Sequence, residues 1–83
     1  MKYENAIKRL TKLGFSIDEL NETRTIATLE GSSYELGMHR NSGSSEVSII
    51  WAENINDRND PMIDYFGGTT YFQSLKAAIN WVN

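Results

Sequence analysis

The chain has 83 residues, a net charge of −3 and no cysteine. This length suits one domain with one modest core, and the lack of cysteine excludes disulfides, thiolate metal sites and a cysteine nucleophile. The opening segment MKYENAIKRL has no apolar run, and no stretch approaches the roughly 20 apolar residues of a membrane span, so we expect a soluble cytoplasmic protein without a signal peptide.

The first predicted element is a helix from about Lys2 to Leu13. Its apolar residues recur at helical spacing, and Gly14 stands where a glycine commonly ends a helix. The apolar residues at this spacing are Tyr3, Ala6, Ile7, Leu10 and Leu13.

Strands are predicted in the middle of the chain, at 15–18, 25–30, 34–39 and 46–53, since these segments alternate in polarity or are rich in β-branched residues. Two shorter strands, 62–66 and 69–72, would be joined by a Gly67-Gly68 hairpin turn. Most of the connections are short, which favours antiparallel pairing. In the segment 46–53 we assign Val47, Ile49 and Trp51 to the core face, and Ser48, Ile50 and Ala52 to the other face.

A second helix is predicted from near Gln73 or Ser74 to the chain end, with Ser74 as its N-cap. The whole pattern predicts a single α+β domain over residues 1–83, with both terminal helices packed on one face of a three- to five-stranded antiparallel sheet. The predicted core residues are Ile7, Leu10, Phe15, Leu36, Val47, Ile49, Trp51, Leu75, Ala78 and Ile79.

No catalytic or metal-binding pattern is found. His39 is the only histidine, and no Gly-x-Ser-x-Gly elbow accompanies it. The acidic segment after position 53 fails the EF-hand spacing, because Arg58 or Pro61 falls at a ligand position in the two registers that start from Asn54 and Asp57. We therefore predict a protein that is not an enzyme and uses no cofactor.

Two surfaces are candidates for contact with a protein partner. One is the acidic loop, which carries Glu53, Asp57, Asp60 and Asp64. The other is the sheet face opposite the helices, where we place Ile50 with an outward-pointing Tyr65 or Phe66. An exposed strand edge could also join two copies, so the chain is expected to be a monomer or a homodimer.

An alternative function is nucleic-acid binding through the first helix, where the basic residues concentrate. Phosphate contacts would come from Lys2, Lys8, Arg9 and Lys12. The acidic net charge and the lack of a basic cluster at the start of the second helix argue against this alternative.

The layout of the elements and the closing segment YFQSLKAAINWVN resemble small phage-encoded αβββα proteins of the anti-CRISPR type. The resemblance implies a non-catalytic inhibitor that occupies the surface of a large nuclease complex. It assigns a role to no individual residue.

Overall fold

The computed structural model describes residues 1–54 and 69–82. Five strands form one antiparallel sheet in the order β1-β2-β3-β4-β5, so the predicted α+β class is confirmed. The predicted strand at 62–66 and the Gly67-Gly68 turn lie outside the described residues. In chain order the elements are α1 (Tyr3–Lys12), β1 (Ser16–Glu19), β2 (Arg24–Thr28), β3 (Tyr34–His39), β4 (Ile49–Asn54), β5 (Thr69–Phe72) and α2 (Leu75–Val82).

Local signals set the C-terminal end of α1 and the start of α2 as predicted. Gly14 follows α1 with φ +96°, and the N–H of Phe15 donates to the carbonyl of Leu10 at 3.0 Å. This reversal turns the chain into β1 and buries the Phe15 ring. Before α2, the Ser74 hydroxyl accepts a hydrogen bond from the N–H of Ala77 at 3.2 Å, which confirms it as the N-cap.

The hydrophobic core brings buried residues of both helices together with strand residues of one face of the sheet, here called the inner face. Directly paired residues of antiparallel strands point to the same side, so the register defines this face. Its buried strand residues cluster with the buried residues of both helices. The members of this cluster are Tyr3, Ala6, Leu10, Phe15, Ala27, Leu36, Met38, Ile50, Ala52, Leu75, Ala78, Ile79 and Val82.

The predicted facing of β4 was wrong. Ile50 is 6% exposed and packs in the inner-face core, whereas Ile49 is 45% exposed. Trp51 is buried as predicted, but by the register it lies on the opposite face. Both alternating sets of residues in β4 are apolar, so the polarity pattern alone could not choose between them.

Adjacent isoleucines offer a direct check of this facing. Replacing Ile50 with Ala should lower the free energy of unfolding by about 2–5 kcal/mol, because it leaves a cavity in the core. Replacing Ile49 with Ala should change it by only about 0.5 kcal/mol, as at other exposed positions. Urea unfolding followed by circular dichroism measures both values, and a larger loss for Ile49 than for Ile50 would restore the predicted facing.

Candidate functional site

The sheet face away from the core, here called the outer face, presents side chains in rows across the strands. One row carries Arg24, His39 and Ile49, and the next carries Ile26, Gly37, Trp51 and Tyr71. A third row carries Thr28, Glu35, Glu53 and Thr69. The face therefore has Arg24 and His39 at one end and two directly paired acids at the other end. The middle is apolar except for Asp18, which pairs with Ile26 from β1.

Trp51 forms the centre of this face because its neighbour on β3 has no side chain. The ring of Trp51 occupies the space where a Cβ atom at Gly37 would stand. The guanidinium of Arg24 lies 5.4 Å from the centre of the same ring, within range of a cation–π interaction. The Trp51 ring is thus held by Gly37 of β3 and Arg24 of β2, and Trp51 is only 8% exposed.

Two apolar side chains beside Trp51 remain open to solvent. Tyr71, its direct partner on β5, is 70% exposed, and Ile49, two residues earlier on β4, is 45% exposed. Arg24 is exposed as well. We call the group Arg24, Ile49, Trp51 and Tyr71 the Trp51 surface. Trp, Tyr and Arg are the residue types that most often dominate binding energy at protein interfaces.

The structure relocates part of the predicted contact surface. Ile50 was expected on the exposed face, but it is buried in the core, and Ile49 takes the exposed position. Glu53 lies in β4 rather than in a loop, half-buried on the outer face beside Glu35. The remaining predicted contact residues lie outside the described residues: Asp57, Asp60, Asp64, Tyr65 and Phe66.

Of the four basic residues at the start of the chain, Lys2 and Lys8 are paired with acids. The ammonium of Lys2 lies 3.1 Å from a carboxylate oxygen of Glu46, and that of Lys8 lies 3.4 Å from Glu4. Arg9 and Lys12 are exposed near the C-terminal end of the helix, where cations interact favourably with the helix dipole. Two of the four predicted phosphate contacts are therefore already paired with acids.

Glu46 holds the start of the chain against the segment between β3 and β4. Its carboxylate accepts a hydrogen bond from the terminal ammonium of Met1 at 2.9 Å. The hydrogen bonds from this ammonium and from Lys2 lower the pKa of Glu46. The N–H of Tyr3 also donates to the carbonyl of Ser45 at 2.8 Å, so the two segments are joined along their backbones.

Arg40 lines a cavity of about 390 Å³ beside the start of α1. Its guanidinium lies 4.0 Å from the centre of the Tyr3 ring, and its Nε donates to the carbonyl of Glu22 at 3.0 Å. These contacts tie three segments of the chain together. We therefore assign a structural role to Arg40 and the residues that line this cavity. No pattern in the sequence indicated the cavity.

Tyr3 carries a buried polar network beneath Arg40. Its hydroxyl donates to a carboxylate oxygen of Glu19 at 2.9 Å and lies 2.7 Å from the hydroxyl of Thr25. Since the phenol has one proton, Thr25 donates in this pair. Burial, together with the neighbouring Glu19, raises the pKa of Tyr3 above its ordinary 10.0, against the opposing effect of Thr25.

The part of the chain that the structure describes holds no candidate metal site. Within residues 1–54 and 69–82, no three side chains of His, Cys, Asp or Glu are grouped so that they could bind a metal ion. His39 lies half-buried on the outer face, and its carbonyl accepts hydrogen bonds from the N–H and hydroxyl of Ser48. None of the described helices has the length and apolarity needed to cross a membrane.

In comparisons with known proteins, no protein-family model, curated protein or solved structure matches the chain.

The close packing of Trp51 on Gly37 can be measured with a double-mutant cycle. Gly37→Ala should lower the free energy of unfolding by about 1–3 kcal/mol, because the new methyl group displaces the Trp51 ring. In a Trp51→Leu background the same substitution should cost much less. An equal cost in both backgrounds, measured by urea unfolding, would mean that the two residues do not interact.

The buried Tyr3 hydroxyl should make the protein sensitive to alkali. Its pKa is raised in the folded state, so its contribution is complete below pH 10.0 and is lost as the pH rises through the folded-state pKa. Tyr3→Phe should cost about 1–2 kcal/mol at neutral pH through the lost hydrogen bonds. The difference between the wild type and this variant should then shrink above pH 10.0.

The measurement is urea unfolding across an alkaline pH series. Tyr71→Phe, which removes the hydroxyl of an exposed ring, is the matched control and should follow the wild-type profile. A gap between wild type and Tyr3→Phe that stays constant with pH would contradict the assignment.

Proposed function

We propose that this protein is a non-enzymatic protein-binding module that contacts its partner through the Trp51 surface. One observation carries the proposal: Tyr71 and Ile49 are exposed on either side of a Trp ring that Gly37 and Arg24 hold in place. Rigid anchors lose little conformational entropy on binding, so a fixed aromatic centre with exposed apolar neighbours favours association.

Charged side chains beside and within the Trp51 surface would orient a partner. The exposed Arg24 stands in the row on one side of Trp51, and the half-buried Glu53 stands in the row on the other. Complementary charges on a partner would fix its direction across the strands, whereas the apolar contacts would supply most of the affinity.

A finer form of the proposal concerns the partner. The resemblance in layout to anti-CRISPR-type proteins suggests a host nuclease complex, which binding would inhibit by covering part of its surface. Support for this form comes from the order of the elements in the sequence alone.

Truncation of Tyr71 is the main test of the binding surface. A tagged chain would capture partners from a host lysate, and the affinity for a purified candidate would then be measured by calorimetry. Tyr71→Ala should weaken binding by about 2 kcal/mol or more, roughly 30-fold in Kd, as expected for an aromatic anchor. Leu13→Ala is the control, since Leu13 is also an exposed apolar residue, 49% exposed, but follows α1.

Three results would count against the Trp51 surface. The first is equal affinity of the wild type and Tyr71→Ala. The second is a loss of affinity only when Asp57 and Asp60 are both replaced with Asn, which would move the contact to the acidic loop. The third is turnover of a small substrate without any partner, which would point to an enzyme instead.

A further inference from the structure

Leu20 lies beside the Trp51 surface, directly after β1. Its N–H donates to the carbonyl of Arg24 at 3.0 Å, so the pairing of β1 with β2 continues for one more position. Paired residues of antiparallel strands point to the same face, which for Arg24 is the outer face. Leu20 is 51% exposed, and it adds an apolar side chain to the row that contains Arg24.

The charge of Arg24 has no acidic partner in the part of the chain that the structure describes. Its guanidinium lies 5.4 Å from the centre of the Trp51 ring and forms no ion pair or hydrogen bond with the described residues. Asp18 of β1 shares the outer face but is not paired with it. A guanidinium with free N–H donors is suited to a carboxylate, which it binds through two parallel N–H···O bonds.

The backbone of Arg24 is fixed before any partner arrives. The side-chain Oδ1 of Asn21 accepts its N–H at 2.9 Å, and its carbonyl accepts the N–H groups of Leu20 and Asn21. Together with the contact to the Trp51 ring, these bonds limit the positions that the guanidinium can take. Such a cation loses less conformational entropy on binding than a cation on a flexible segment.

The row that contains Arg24 lies at the end of the sheet where β4 begins. Ile49, the first residue of β4, pairs with His39, and His39 pairs with Arg24. Asn54 and Thr69, which border the undescribed residues in the sequence, lie at the opposite end. The contacts that place Arg24 and its neighbours therefore all involve described residues.

The neighbours of Arg24 decide which kind of anion fits. Leu20 and Ile49 are exposed in its row, and Tyr71 is exposed in the next. A partner that covers these side chains must itself be apolar around its anionic group. A nucleic acid fits poorly, because its chain of phosphates would meet a protein with a net charge of −3.

We propose that the partner of the Trp51 surface presents an Asp or Glu side chain flanked by apolar residues, and that Arg24 binds this carboxylate. The inference rests on the proposed function of the surface and names the chemistry of the partner. Glu53 stands in the row on the far side of Trp51 and would repel the same carboxylate in a partner that docked in reverse. Arg24 thus selects the partner segment and sets its direction.

A random-sequence peptide library displayed on phage is the probe for this preference. It is selected against the wild type and against Arg24→Glu, and a wild-type or Arg24→Glu binder counts only if Tyr71→Ala in the same background abolishes its binding. Peptides from the wild type should be enriched in Asp or Glu beside apolar residues. Peptides from Arg24→Glu should be enriched in Lys or Arg instead, because the charge at this position is reversed.

Calorimetry with one acidic peptide from the wild-type selection measures the contact directly. Replacing Arg24 with Gln, or the acid of the peptide with its amide, should each weaken binding roughly 10- to 100-fold, as expected for hydrogen bonds between charged groups. Both changes together should weaken binding little further, because the two groups contact each other. Arg24→Lys keeps the charge and should bind more tightly than Arg24→Gln.

Arg9→Gln is the matched control, since Arg9 is also exposed but lies on α1. It removes the same charge and should leave the affinity for the peptide unchanged. Arg24→Gln should melt close to the wild type, as at other exposed positions, so its loss of affinity reports on the contact.

Three results would overturn the assignment of Arg24 while the Trp51 surface stands. They are Tyr71-dependent peptides without enrichment in acids, equal losses of affinity in Arg24→Gln and Arg9→Gln, and equal losses in Arg24→Gln and Arg24→Lys. A selection that yields no Tyr71-dependent peptide would overturn the Trp51 surface itself, and the inference with it.

Discussion

The packing of the Trp51 ring on Gly37 is the constraint on which the rest of the sheet depends. Once a large ring lies on the outer face of β4, the next residues in each direction must point inward. Ile50 and Ala52 then complete a core with Leu36 and Met38 of β3. A shift of one residue would turn Trp51 into the core. Ala6, Ala52 and Ala78 pack closely there and leave little room for a large ring.

This constraint explains what the sequence could predict and what it could not. Both helices have one apolar face and a clear terminal signal, Gly14 for α1 and Ser74 for α2, so their positions followed from local chemistry. In β4, Ile49 and Trp51 compete with Ile50 and Ala52 for the core. The deciding residue, Gly37, lies on another strand, and only the register brings it opposite Trp51. Glycine within a strand often marks such a close approach, and that was the available signal.

The electrostatic contacts serve mainly to join segments of the chain. Arg40 stacks on Tyr3, and Glu46 binds both Lys2 and the terminal ammonium, so the β3–β4 connection is held to the start of α1. Such pairing reduces the positive field that a phosphate backbone would meet at this helix. Arg24 differs, because it lies against an aromatic ring on the outer face and remains exposed. Arg24 therefore differs from the cations of the helix in lying beside the apolar side chains of the proposed Trp51 surface.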